Sequence, residues 1–187
     1  HAGKHEHAAL GYNPKRWEVL NNGFDLAAFR PHADARERLR HDLNLPDDAI
    51  LIGLVARYDP IKNHEGFLRA AAELQSTDQE AHFVLVGGGV DGRNRDLNAL
   101  IDHLDIRERV HLLGQRDDVP RLTAGLDIAT CCLLGEGFPN VVGEAMACAV
   151  PCVVTDVGDA ARIVGDTGII VSAGDPQALA RGWREMI

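Results

Sequence analysis

Two glutamates separated by seven residues flank the predicted start of a helix. Glu136 follows the apolar run Ile128–Leu134, which predicts a buried strand, and Glu144 lies five residues after Pro139. Proline is favoured at the beginning of helices, so we predict that Pro139 occupies the first helical position. A rise of about 1.5 Å per residue then places Glu144 roughly 7 Å along the helix axis from Pro139. One elongated ligand could therefore contact both carboxylates.

The helix N-terminus predicted between these carboxylates is a candidate anion site. Unpaired backbone N–H groups and the positive end of the helix dipole favour a phosphate at such a position. Gly137 and Gly143 would allow a ligand or a neighbouring element to approach the backbone closely. The alternative interpretation is that Glu136 is a solvated loop residue and Glu144 an ordinary surface residue of the helix.

A basic turn is the second candidate element. It follows Ile50–Ala56, a continuous apolar run typical of a central parallel strand. Arg57 comes next, Lys62 lies five residues further on, and Asn63 is predicted to cap a helix over His64–Gln75. Open parallel sheets bind ligands at the carboxyl ends of their strands, so the position of these cations favours phosphate binding. Taken singly, each cation would be interpreted as a solvated surface charge.

A glycine-rich stretch follows the next predicted strand, His82–Val86. Residues 87–92 match G-x-G-x-x-G, but a dinucleotide fingerprint belongs in the first strand–helix unit of its fold and requires an acidic residue after the following strand. Here the following predicted strand is Val110–Leu113, and Gly-Gln-Arg occupies positions 114–116. The match is therefore weak evidence for a dinucleotide site, and the alternative interpretation is a plain turn.

Composition and charge exclude several classes of protein. A net charge of −9 over 187 residues argues against a nucleic-acid-binding surface, so an anionic ligand must meet a local cluster of cations. The 45% hydrophobic content is enough for one core and one domain, and the apolar runs are too short to predict a transmembrane segment. The cysteines lie in apolar segments without metal-ligand spacing, which predicts reduced core residues and a cytoplasmic protein: Cys131, Cys132, Cys148 and Cys152.

Predicted strands and helices alternate along most of the chain. Further strands are predicted at Cys152–Thr155 and Ile169–Ser172, and Gly174–Pro176 is predicted to cap a last helix. A short strand is also predicted at Trp17–Leu20. This alternation predicts an α/β fold, an open parallel sheet with helices on both faces, of the Rossmann-like kind.

Three segments together resemble a known family. Glu136–Pro151 is similar to the E-x7-E signature of the family 4 glycosyltransferases, which are retaining enzymes of the GT-B fold. Asn22–Asp25 with Phe29–Pro31 is similar to the family's N-G-V/F-D and F-x-P segment. Arg57–His64 resembles its G-R-x4-K-G/N element, although Ala56 replaces the usual glycine. The resemblance covers nearly the whole chain.

The resemblance implies a role for each site residue. Glu136 would face the donor hexose, and Arg57 and Lys62 would hold the donor's phosphates, so these three residues form the implied catalytic set. Glu144 would accept hydrogen bonds from the ribose hydroxyls. The implied donor-binding backbone and base-proximal residues are Gly137, Phe138, Pro139, Asn140, Val141, Gly88, Gly89 and Arg116.

The same resemblance implies that residues 1–187 are the carboxyl-terminal, donor-binding half of a GT-B enzyme. The enzyme would transfer a hexose from a nucleoside-diphosphate sugar to a glycan or lipid-linked acceptor in cell-surface polysaccharide biosynthesis. We expect no cofactor and no metal, since the chain has no Asp-x-Asp pair. The acceptor would be bound by an amino-terminal domain that we expect to be absent from this chain. That domain would also make any peripheral contact with the inner face of the membrane, and the fragment alone would not transfer sugar.

Two other functions remain open. Glu136 and Glu144 could be the acid and base of a glycoside hydrolase, whose carboxylates lie roughly 5–10 Å apart across the scissile bond. That reading leaves the basic turn at Arg57 and Lys62 unexplained. The chain could also be a nucleotide-binding module without catalytic activity.

Overall fold

The computed structural model describes residues 2–76 and 80–187, in which the chain forms strands and helices in alternation. The strands are β1 Ile50–Val55, β2 Ala81–Val86, β3 Val110–Leu112, β4 Ile128–Cys131, β5 Cys152–Thr155 and β6 Ile169–Val171. The α-helices are α1 Ala2–Ala9, α2 Ala35–Asp42, α3 His64–Gln75, α4 Arg95–His103, α5 Val119–Ala124, α6 Asn140–Ala147, α7 Ala160–Val164 and α8 Pro176–Met186.

The strands form one six-stranded sheet in the order β3-β2-β1-β4-β5-β6, and every neighbouring pair is parallel. Helices α3, α4 and α8 pack on one face, around Phe67, Phe83 and Trp183. Helices α2, α5, α6 and α7 pack on the other face, where Leu39 and Val142 are buried. The predicted open parallel sheet with helices on both faces is therefore confirmed.

The strand order places the topological switch point between β1 and β4. From β1 the chain continues to β2 on one side of the sheet, and from β4 it continues to β5 on the other side. The connections after these two strands diverge, which leaves a crevice at their carboxyl ends where open α/β sheets bind ligands. Arg57 follows β1 and Glu136 follows β4, so the predicted site residues lie at this crevice.

Two local predictions were wrong. Trp17–Leu20 forms no strand; it is an irregular segment whose Leu20 side chain is exposed and which has no neighbouring strand to pair with. Helix α6 begins at Asn140 rather than Pro139, because Pro139 has an extended backbone with ψ of 101°. Pro139 is therefore the residue that precedes the first helical position.

A pair of histidines joins β2 and β3. Nδ1 of His82 lies 3.2 Å from Nε2 of His111, and a guanidinium nitrogen of Arg109 lies 3.5 Å from Nε2 of His82. An arginine can only donate, so Nε2 of His82 accepts and its Nδ1–H donates to His111. Burial, then His111 and Arg109, lowers the pKa of His82 to about 4, and burial also lowers the pKa of His111.

We therefore expect acid to destabilise the fold through His82. The unfolded histidine has a pKa near 6.5, so between about pH 6.5 and pH 4 the unfolded chain binds a proton that the folded chain does not. The free energy of unfolding should fall over that range by roughly 1–2 kcal/mol, a figure that allows for partial exposure of the ring. Urea unfolding at pH 7.5 and pH 5 would measure it. His82→Gln should lose much of this dependence, whereas replacing the exposed His103 by Gln should keep it.

Candidate functional site

A cleft of about 390 Å³ opens at the switch point between β1 and β4. Its walls are the carboxyl ends of these strands and the start of α6. The structure brings together at this cleft most of the residues that the sequence predicted for a site: Arg57, Lys62, Glu136, Phe138, Pro139, Asn140, Val141 and Glu144. Gly137 lies in the same loop, between Glu136 and Phe138.

Lys62 and Glu136 form an ion pair across the cleft. Lys62 is the last residue of a 3-10 turn, Pro60–Lys62, that follows β1. Its Nζ lies 2.5 Å from Oε2 of Glu136. The Lys62 side chain is 19% exposed and that of Glu136 is 31% exposed. A partly buried pair is less screened by solvent than a surface pair, so each charge affects how the other meets a ligand.

Arg57 is oriented by Asp59, a residue that the sequence analysis did not single out. The Arg57 guanidinium donates to Oδ2 of Asp59 at 3.2 Å, and the other carboxylate oxygen accepts the N–H of Ile61 at 3.0 Å. The hydrogen bond from Ile61, then that from Arg57, lowers the pKa of Asp59. An Asp directly before Pro60 is a recognisable cap for the turn, and this signal could have identified Asp59.

The two helices that begin near the cleft differ at their N-termini. Asn63 caps α3, because its side-chain oxygen accepts the N–H of Gly66 at 3.1 Å. The cap prediction for Asn63 is thus confirmed. No side chain caps α6, and its first two residues, Asn140 and Val141, line the cleft. The N-terminus of α6 is therefore the better place for an anionic ligand group.

Glu144 lies on the cleft wall in the second turn of α6. The side chain is half-buried, and burial raises the pKa of its carboxyl group. Among the residues that the structure describes, none donates a hydrogen bond to this carboxylate or forms an ion pair with it. A partly desolvated carboxylate without a protein partner is suited to accept hydrogen bonds from ligand hydroxyl groups.

The segment before α2 supports the start of α6. The side-chain amide of Asn22 donates to Oδ1 of Asn140 at 2.8 Å, and Phe24 stacks on Phe138 with ring centroids 6.2 Å apart. A Cβ atom on Gly143 would lie 2.1 Å from the Phe24 ring, so only glycine allows this approach. The sequence analysis connected this segment to the site only through the family resemblance.

Four of the predicted binding residues lie outside the cleft lining: Gly137, which is in the adjoining loop, and Gly88, Gly89 and Arg116. Gly88 and Gly89 lie beside the basic turn, where the N–H of Tyr58 donates to the carbonyl of Gly88 at 2.8 Å. Arg116 forms a two-point ion pair with Asp118, both contacts at 2.7 Å, and lines a separate cavity of about 40 Å³ beside α2 and α5. Arg116 therefore does not line the cleft that contains Glu144 and Lys62.

The described ranges, 2–76 and 80–187, contain no group of three or more His, Cys, Asp and Glu residues that could hold a metal ion. The helices within these ranges are also too short or too polar to cross a membrane.

The family model described as "Glycosyl transferases group 1" matches residues 49–187, from the start of β1 to the end of α8. The chain belongs to the group 1 glycosyltransferases. The matched region contains every element that lines the cleft.

Two curated relatives illustrate the range of the family. The chain is 34% identical over 184 residues to a D-inositol 3-phosphate glycosyltransferase of Salinispora arenicola, covering 90% of this chain and 41% of the relative. It is 32% identical over 178 residues to an N-acetylgalactosamine-N,N'-diacetylbacillosaminyl-diphospho-undecaprenol 4-alpha-N-acetylgalactosaminyltransferase of Campylobacter jejuni, covering 94% and 45% respectively. The chain therefore spans less than half the length of these group 1 glycosyltransferases.

Solved structures show the same fold. Anabaena Alr3699/HepE, crystallised in complex with UDP, is 29% identical, with a TM-score of 0.78 over 88% of this chain and 46% of that chain. The same protein has also been crystallised with UDP-glucose. The six-stranded sheet and its helices are thus a fold that this chain shares with Alr3699/HepE.

Proposed function

We propose that this chain is the donor-binding domain of a retaining family 4 glycosyltransferase with the GT-B architecture. The whole enzyme transfers a hexose from a nucleoside-diphosphate sugar. One observation carries the proposal: the cations of the basic turn, the uncapped N-terminus of α6 and the unpartnered carboxylate of Glu144 line a single cleft at the switch point. The UDP and UDP-glucose complexes of Alr3699/HepE support a nucleotide sugar as the ligand.

The proposed chemistry requires fixed positive charge beside the leaving group. When the bond between the anomeric carbon and the diphosphate oxygen breaks, negative charge develops on the diphosphate and the sugar becomes oxocarbenium-like. Arg57, Lys62 and the N–H groups at the start of α6 would hold that charge. Glu136 would hydrogen-bond the hexose, and Glu144 would hold the ribose. The acceptor hydroxyl oxygen then bonds to the anomeric carbon, and its proton passes to the departing diphosphate oxygen.

The acceptor belongs to the remainder of the proposed enzyme. This chain spans less than half the length of its relatives, and we propose that a second domain binds a glycan or lipid-linked acceptor. The diphospho-undecaprenol named for the Campylobacter relative supports a lipid-linked acceptor. On that basis we propose a role in cell-surface polysaccharide synthesis at the cytoplasmic face of the membrane. Without a second domain the cleft is open to water, which weakens its electrostatic interactions. We therefore expect this chain alone to bind donor without transferring sugar.

Calorimetry with UDP, GDP, ADP and their glucose esters, each with and without a chelator, tests the proposal. We expect at least one nucleotide to bind, with an affinity that chelation leaves unchanged, because the phosphates meet Arg57, Lys62 and a helix N-terminus rather than a metal. If no member of the panel binds, or if chelation abolishes binding, the proposal is wrong. Hydrolysis of simple glycosides without nucleotide affinity would instead support a glycoside hydrolase that uses Glu136 and Glu144.

A further inference from the structure

The group expected to hold the donor sugar and a group expected to hold its phosphates neutralise each other in this structure. Glu136 Oε2 and Lys62 Nζ are 2.5 Å apart, and both side chains are more than two-thirds buried. A phosphate cannot use the full charge of Lys62 while that charge is paired with Glu136. A bound phosphate therefore competes with Glu136 for Lys62, and full use of the lysine charge exchanges one partner for the other.

We propose that this exchange makes Glu136 the residue that discriminates between a nucleoside-diphosphate sugar and the bare nucleoside diphosphate. The inference rests on the proposed function and extends it from donor binding to product release. A sugar nucleotide compensates both halves of the ion pair, since its phosphate binds Lys62 and its sugar hydroxyls donate to Glu136. The bare diphosphate compensates Lys62 alone.

The charge of the bare diphosphate increases this difference in affinity between the two ligands. The terminal phosphate of a bare diphosphate carries one more ionisable oxygen than the same phosphate esterified to a sugar. Next to Glu136 that oxygen meets a carboxylate that has lost its cation, and like charges at short range in a partly desolvated cleft repel. Glu136 therefore disfavours the product left after sugar transfer more than it disfavours the donor.

The Glu136 loop is held in place, so the exchange is one of side-chain contacts. The carbonyl of Gly137 accepts the N–H of Asp159 at 3.0 Å, and a Cβ atom on Gly158 would lie 2.2 Å from the carbonyl oxygen of Glu136. The backbone around Glu136 is thus packed against the loop that follows β5. A change of partner at Lys62 therefore needs only side-chain rotation and no movement of this loop.

The test measures, by calorimetry, the affinity of the wild-type chain and of Glu136→Gln for UDP and for UDP-glucose. If the wild-type chain binds a nucleotide with another base more tightly, the diphosphate and the glucose ester of that nucleotide replace UDP and UDP-glucose. We expect Glu136→Gln to bind the bare diphosphate about 3- to 10-fold more tightly than wild type. The same variant should bind the glucose ester no more tightly than wild type. The ratio of the two affinities should therefore shift toward the bare diphosphate.

Glu65→Gln is the matched control, because Glu65 is an exposed carboxylate three residues after Lys62 that pairs with Arg69. It should leave the ratio of affinities unchanged, so a shift of the same size in this control would overturn the inference. If the wild-type chain binds the nucleotides but Glu136→Gln binds the bare diphosphate no more tightly than wild type, the inference is overturned and the proposed function stands. Failure of every nucleotide to bind the wild-type chain would overturn both.

Discussion

Replacing Arg40 by Met should lower the free energy of unfolding by about 3–5 kcal/mol, the usual effect of removing one partner from a buried ion pair. Arg40 is fully buried in α2, and its guanidinium forms an ion pair with Asp127, which precedes β4. It also donates to the carbonyls of Ala49 at 2.9 Å and Gly125 at 3.2 Å. The substitution keeps most of the apolar stem, but it removes the buried cation beside Asp127 and the donor that Arg40 provides to these two carbonyls. Urea unfolding at pH 7.5 measures the change.

Arg36 provides the control for this prediction. It pairs with the same carboxylate of Asp127, but its side chain is 57% exposed. Arg36→Met should therefore cost less than about 1 kcal/mol, as is usual for solvent-exposed pairs. Equal losses of stability in the two variants would show that burial does not set the strength of the interaction with Asp127.

Replacing Glu144 by Ala should weaken nucleoside-diphosphate binding by about 1.5–3 kcal/mol, or about 10- to 150-fold in Kd, because hydrogen bonds to a charged group are worth that much. The carboxylate lines the cleft, is half-buried and has no partner within the described residues. The fold should remain intact, since no described contact of the carboxylate is lost. Calorimetry with the nucleotide that binds most tightly to the wild-type chain measures the effect.

A thermodynamic cycle sharpens the assignment of Glu144. If its carboxylate accepts from the ribose 2′-hydroxyl, the 2′-deoxy nucleotide should bind wild-type chain more weakly, and Glu144→Ala should cost much less with that ligand. Glu73→Ala, on the exposed face of α3, should leave both affinities unchanged. If the losses of binding free energy from Glu144→Ala and from removal of the 2′-hydroxyl are fully additive, Glu144 does not contact that hydroxyl.

Local patterns in the sequence were enough to predict most of the helices and strands and to indicate the family. The predicted helix His64–Gln75 with its Asn63 cap and the predicted strand Cys152–Thr155 have these bounds in the structure. Both depend on neighbouring residues, either a capping side chain or a short apolar run between turn residues. The E-x7-E segment that begins at Glu136 indicated the family in the same local way, and the family match confirms it.

Strand order and the pairing of charges were decided by the tertiary structure. An apolar run predicts a strand but does not specify which strands lie beside it, so the adjacency of β1 and β4 could not be read from the chain. That adjacency brings Lys62 to Glu136, 74 residues later, and Arg40 to Asp127. The lack of a neighbouring strand also explains one of the two wrong predictions. A strand at Trp17–Leu20 requires a neighbour, and no periodicity or propensity within the segment can supply one.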